Sequence, residues 1–276
     1  MIGCDSMRTA YECLYEPCRE EAFQGKEVAV FVGMKPKRNH ASGIRLMLIG
    51  RAVNGWGTEL VELAANGEKN RFLEEVCHEW ECADRWNWME EKNEKLYNTG
   101  GKQDCVGSRP FWSYAEKIWR DLTGDNNSVR WVDYIYWTNL YKISPANGGN
   151  PTDGQCKAQG EACREILRQE IEACRPTHIL CFTDDNWITC QGYTDFGVLF
   201  MLNATAGQVT DKTAYVKLTG EYQYGCPDGS PARVMITCRP EYKVKDEFCK
   251  AVEEKPGWQP RQKNDGQPVQ SPDEKR

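Results

Sequence analysis

Four short apolar runs, set far apart in the chain, limit the fold more than any other feature. They are IRLMLIG (44–50), the β-rich run VRWVDYIYWTNLYK (129–142), HILCF (178–182) and ARVMITC (232–238). Nearly continuous apolar runs that stop at a glycine or a polar loop are the pattern of strands buried on both faces, as in a parallel sheet. The stretches between them carry helical spacing. In 111–122, Phe111, Tyr114, Ala115, Ile118, Trp119 and Leu122 share one stripe, and Pro110 suits the first turn. Residues 153–174 read as a second long helix, capped by Asp153 and closed before Pro176.

Strands alternating with helices predict a three-layer α/β/α fold around a mostly parallel, four-stranded sheet. We place that domain at 44–254, with a Trp-rich helical insertion at about 58–104. Residues 1–43 supply a helix over 8–24, weakened by Pro17, and a strand at 28–32, both packed on the domain. Residues 186–204 are mixed, 213–225 alternate like a hairpin, and a short helix covers 244–253. The polar, Pro-containing stretch 255–276 has little to bury and is expected to be disordered.

The net charge of −6 argues against a broad nucleic-acid surface, which needs a basic face, but leaves room for a local basic cleft. Fourteen Cys stand beside only three His, and no C-x-x-C spacing occurs. We therefore expect structural thiols, mostly reduced, with no metal cofactor. The first thirty residues are dotted with charge, and no run of about eighteen apolar residues occurs. The expectation is a cytoplasmic chain with no membrane partner.

In a parallel sheet, ligands sit at the carboxyl ends of the strands. The loops after Gly50, Asn139, Phe182 and Cys238 are thus the candidate site. Residues 137–182 hold Thr138, Asn139, Lys142, Pro145, Pro151, Cys163, Arg164, Gln169, Ile171, Glu172 and Pro176 in an order that resembles the uracil-DNA glycosylase superfamily. The likeness is closest to its thermophile-type branch. SRPFW (108–112), MLIGRAVNGWG (47–57) and TCRPEY (237–242) hold the places of three further motifs, so it spans roughly 44–245.

The resemblance implies that Asn139 reads the edge of an extruded base and that Phe111 stacks on it. It implies that Gly50, Arg51, Asn54 and Trp56 lie in the loop holding the attacking water, and that Arg239 meets the leaving base or a phosphate. DNA or a nucleotide with an extruded base is the implied partner. Extrusion is what a glycosylase requires, and an amide offers both a donor and an acceptor to a pyrimidine edge.

The sequence departs from the branch at three places. Arg51 stands where the branch has a carboxylate, Arg239 where it has His, and most cluster cysteines are missing, so no iron–sulfur cluster is expected. A guanidinium stays protonated and cannot act as a base.

Each residue also has a plainer reading. Asn139 and Asn54 could shape turns, Phe111 could be core, and Arg51 and Arg239 could form an anion site or surface ion pairs. Asp184 and Asp185 could cap the next helix, though either is the best substitute base. Two functions follow: hydrolysis of the N-glycosidic bond of a deaminated or modified base, or an inactive glycosylase-like module that binds a nucleotide, single-stranded DNA or a protein.

Overall fold

The computed structural model of the protein describes residues 4–52, 58–87, 109–125, 129–189, 194–202, 215–225 and 230–260. The chain begins with α1 (Cys4–Cys18), β1 (Val28–Val30) and β2 (Leu46–Gly50). Then come α2 (Glu59–Ala65), α3 (Lys69–Glu81), a 3-10 turn at Ala83–Asn87 and α4 (Pro110–Thr123). A 3-10 turn at Trp131–Tyr134 leads into β3 (Ile135–Asn139), β4 (Ile143–Pro145), α5 (Asp153–Cys174) and β5 (His178–Phe182). The last part holds α6 (Asp185–Ile188), a 3-10 turn at Phe196–Leu199, β6 (Met201–Leu202), β7 (Val216–Tyr222), β8 (Ala232–Thr237) and α7 (Lys245–Glu253).

The four apolar runs become the parallel strands, in the spatial order β3-β2-β5-β8. The sheet does not stop at four strands. β7 and β6 add to the β8 edge in antiparallel fashion, so the sheet is mixed and six-stranded. The alternation in 213–225 is therefore not a hairpin folded on itself. Residues 216–222 are one partly buried strand that pairs along β8 on one side and with β6 at Gly220 and Glu221 on the other. β1 stays out of the main sheet and pairs with β4, from Val28 opposite Pro145 to Val30 opposite Ile143.

Side-chain alternation along these strands builds two cores. Met47, Ile49, Tyr136, Ile179, Cys181, Val234 and Ile236 join one cluster with the apolar faces of α1, α3 and α5. Leu46, Leu48, Ile135, Trp137, Leu180, Phe182 and Met235 join the other, with α4 and α7. The result is three layers, as the pattern predicts. Burying each Leu, Ile or Phe contributes about 1.5–3 kcal/mol, and the strands supply them to both faces.

The first core encloses an ion pair. Lys142 and Glu170 are both 0% exposed, with Lys142 Nζ donating to Glu170 Oε1 at 3.0 Å and Oε2 at 2.8 Å. Thr138 Oγ1 and Tyr11 OH also donate to that carboxylate. The network ties α1, β3 and α5 together directly beneath the end of β3.

α5 spans 153–174, but its cap is Thr152, not Asp153. Thr152 Oγ1 accepts from Gln155 N, and the Gln155 side chain accepts from Thr152 N at 2.9 Å. A reciprocal cap of this kind satisfies two orphan donors, and Asp153 becomes the first helical residue. At the chain's end, Trp258 is 1% exposed and its ring meets His178 edge to face. The packed chain thus reaches residue 260, and residues 261–276 lie outside the described residues.

Candidate functional site

The strand order places the site. β2 connects to β3 on one side, while β5 connects to β8 on the other. Where neighbouring strands send their connections in opposite directions, a crevice opens at their carboxyl ends. Here that point lies between Gly50 and Phe182. Gly50 is in register with Asn139 on the other side. By strand parity Gly50, Asn139 and Phe182 all face the α4 layer, because Leu48, Trp137 and Leu180, two residues before them, lie in that core.

Asn139 is 2% exposed, and its Nδ2 has no hydrogen-bond partner among the described residues. Its Oδ1 lies so close over Gly50 that a Cβ there would overlap it. The same Cβ would meet Phe111 Cε2 at 3.6 Å. Glycine is needed here for this close approach. Leaving a buried amide donor unpaired costs about 1–3 kcal/mol, so the group is either a defect or one end of a binding contact.

Phe111 is half-buried at the first turn of α4. Its ring meets Phe182 edge to face at 5.2 Å and Trp112 at 4.9 Å. It packs against the second core and also borders the strand ends beside Gly50.

Arg51 and Asp184 come together across the switch point. Arg51 NH2 pairs with Asp184 Oδ2, Arg51 Nε donates to Thr183 O at 2.8 Å, and the guanidinium lies 5.0 Å from the Trp187 ring centroid. Partial burial lowers the Arg51 pKa, Asp184 opposes that shift, and the nearby charge of Arg239 lowers it again. Asp184 occupies the cap position before α6 but makes no cap hydrogen bond. Its carboxylate serves Arg51 instead, which replaces the capping role expected from sequence. Its backbone has φ 64° and ψ 158°, a conformation that costs a non-glycine residue of order 1–3 kcal/mol. The Asp184 N–H donates to Thr237 O at 2.9 Å and holds that geometry.

Arg239 follows β8 and pairs with Glu241, at 2.6 Å and 3.1 Å. A depression of about 360 Å³ is lined by Asp184, Cys238, Arg239, Glu241, Tyr242 and Lys243. Each strand-end guanidinium thus carries its own carboxylate, so the anion site expected from the two arginines is occupied by the protein's own groups. A larger hollow, about 760 Å³, lies between the end of α1 and α2, and no residue of β2, β3, β5 or β8 lines it. It plays no part in the strand-end chemistry.

Asn54 and Trp56 lie outside the described residues. Gly50, Arg51, Phe111, Asn139 and Asp184 are brought to one edge of the sheet, and Arg239 to the rim beside them. Sequence reasoning missed Trp187 and Glu241. Glu241 was within reach of a charge-pairing argument, since it lies two residues from Arg239; Trp187 was not, because its ring contact with Arg51 crosses from the end of β2 to α6.

The cysteines are mainly packing groups. Nine described ones form no disulfide, and Cys77 takes part in one. Cys163, which matches a cluster ligand of the resembled branch, accepts from Lys142 N at 3.3 Å and donates to Gln159 Oε1 at 3.2 Å. Burial pushes its thiol up to about 12. Among the described residues no group of three or more His, Cys, Asp or Glu side chains is placed to hold a metal. No described helix is long and apolar enough to cross a membrane. Comparison of the chain with protein-family models and with curated protein sequences gives no match.

Proposed function

We propose that the strand-end site binds a nucleobase in the manner of the uracil-DNA glycosylases, and that the protein hydrolyses the N-glycosidic bond of a deaminated or modified base in DNA or a nucleotide. The observation that carries this reading is the buried Nδ2 of Asn139, without a partner among the described residues and set beside Gly50 and the Phe111 ring at the switch point of the sheet. A carbonyl oxygen on a base edge would satisfy that donor, and an aromatic wall suits a planar ring. The Arg239 guanidinium stands at the rim, where charge on a departing base would develop. To act there it must exchange Glu241 for the base.

The competing reading, an inactive binding module, draws on Arg51. It fills the place of a carboxylate and is itself bound to Asp184. Base release separates the two. The substrates are single-stranded and mismatched DNA carrying uracil, hypoxanthine or xanthine, with Asn139→Ala and Arg239→Ala alongside. Release weakened by both substitutions supports the enzyme. Base binding without release from any substrate supports the module.

A further inference from the structure

We infer that Asp184 is the proton acceptor of the site, taking over from the β5 loop the task that the β2 loop gives up by carrying Arg51. The inference rests on the base-binding reading above and adds to it the group that activates water.

Three observations support it. Asp184 and Asn139 extend from strands on either side of β2, so they lie two strand spacings apart, roughly 10 Å. That leaves room for a planar ring hydrogen-bonded at one end and, at the other, a sugar carbon with its attacking water. The Phe111 ring lies between them, against the Gly50 end on one side and Phe182 on the other. Second, the carboxylate is held through Oδ2 alone. Oδ1 makes no hydrogen bond among the described residues, and the side chain is 25% exposed beside the depression. Third, the residue is held in a backbone conformation nearly restricted to glycine, and Arg51 is fixed in turn by Thr183 O and Trp187. Strain maintained by surrounding contacts is the mark of a position kept for its side chain.

In the reaction, the water oxygen bonds to the anomeric carbon and the C–N bond breaks, its electron pair leaving on the base nitrogen. One water proton passes to the Asp184 carboxylate. The acid then returns it to the departing base anion, directly or through solvent. The products are the free base and the hydroxylated sugar, and no other reactant is consumed. Arg51 acts as a positioning residue that aims the carboxylate.

The test uses the full chain and single-stranded DNA carrying uracil, hypoxanthine or xanthine, with binding and single-turnover release measured separately. Asp184→Asn should bind with the wild-type Kd and release base about 100-fold more slowly or worse, the usual size of a lost general base. Asp184→Gly, which suits the backbone, should recover part of its rate when formate is added, a rescue that a structural role would not give. Asn139→Ala should lose binding itself. Wild-type release by Asp184→Asn would overturn the proposal, as would a well-folded Asp184→Gly that formate leaves unchanged. Wild-type protein that binds base but never releases it would overturn the proposal and leave the base-binding reading intact. Absence of any binding would remove both.

Discussion

Two residue pairs matter most at this scale, one at the site and one in the first core. Gly50 and Asn139 share one register position, and the missing Cβ of the first makes room for the amide of the second. Gly50→Ala should push the amide aside at the usual overpacking cost of about 1–3 kcal/mol. A titration with free uracil would read this as a loss of base affinity of about 10- to 100-fold, while the circular-dichroism spectrum stays that of the wild type. The second pair is Lys142 and Glu170. Removing one partner from a fully buried pair strands the other charge, at about 3–5 kcal/mol. Lys142→Met alone should therefore lower urea stability by that amount. Lys142→Met with Glu170→Leu should recover most of it. A double variant as unstable as the single would mean that the pair contributes more than mutual neutralisation.

At the scale of elements, the periodicities were legible wherever packing follows from local pattern. The stripe of 111–122 is α4, HILCF is β5, and the long pattern before Pro176 is α5, each within a residue. Edges and partners were not legible. Nothing in 213–225 says that its partner lies ten residues on, because strand pairing is a property of the sheet. The 129–142 stretch is β-rich throughout, but only its middle, Ile135–Asn139, pairs with β2. The segment before it winds into a 3-10 turn, and the segment after it crosses to pair with β1. The strap after α7 was hidden because a polar composition masks a single anchoring Trp258.

That strap gives a pH dependence. His178 Nε2 donates to Gly257 O at 2.9 Å, and its Nδ1 accepts from Thr177 Oγ1. Burial lowers its pKa, against the effect of the Gly257 carbonyl. The unfolded chain therefore takes up the proton first, near pH 6.5, and the stabilisation present above that pH declines as the pH falls toward the folded value. The slope is at most about 1.4 kcal/mol per pH unit. Denaturant melts between pH 7.5 and 5 should show this decline in the wild type and a shallower one in His178→Gln.

At the scale of the whole molecule, three independent arrangements meet at one edge of the sheet. The strand order makes a switch point, strand parity turns Gly50, Asn139 and Phe182 toward one layer, and α4 begins there with Phe111. The sequence located this edge, since four apolar runs ending in loops already name it. It could not say how the charges pair, because Arg51–Asp184 and Arg239–Glu241 are settled by side-chain reach across loops. The most direct test of the account is a calorimetric titration of uracil and hypoxanthine into wild-type protein and Asn139→Asp, which exchanges the orphan donor for an acceptor. The account requires measurable binding of at least one base by the wild type, weakened about 100-fold or more in the variant, as expected where a buried donor reads the ligand. Equal binding by both proteins, or none by the wild type, would contradict it.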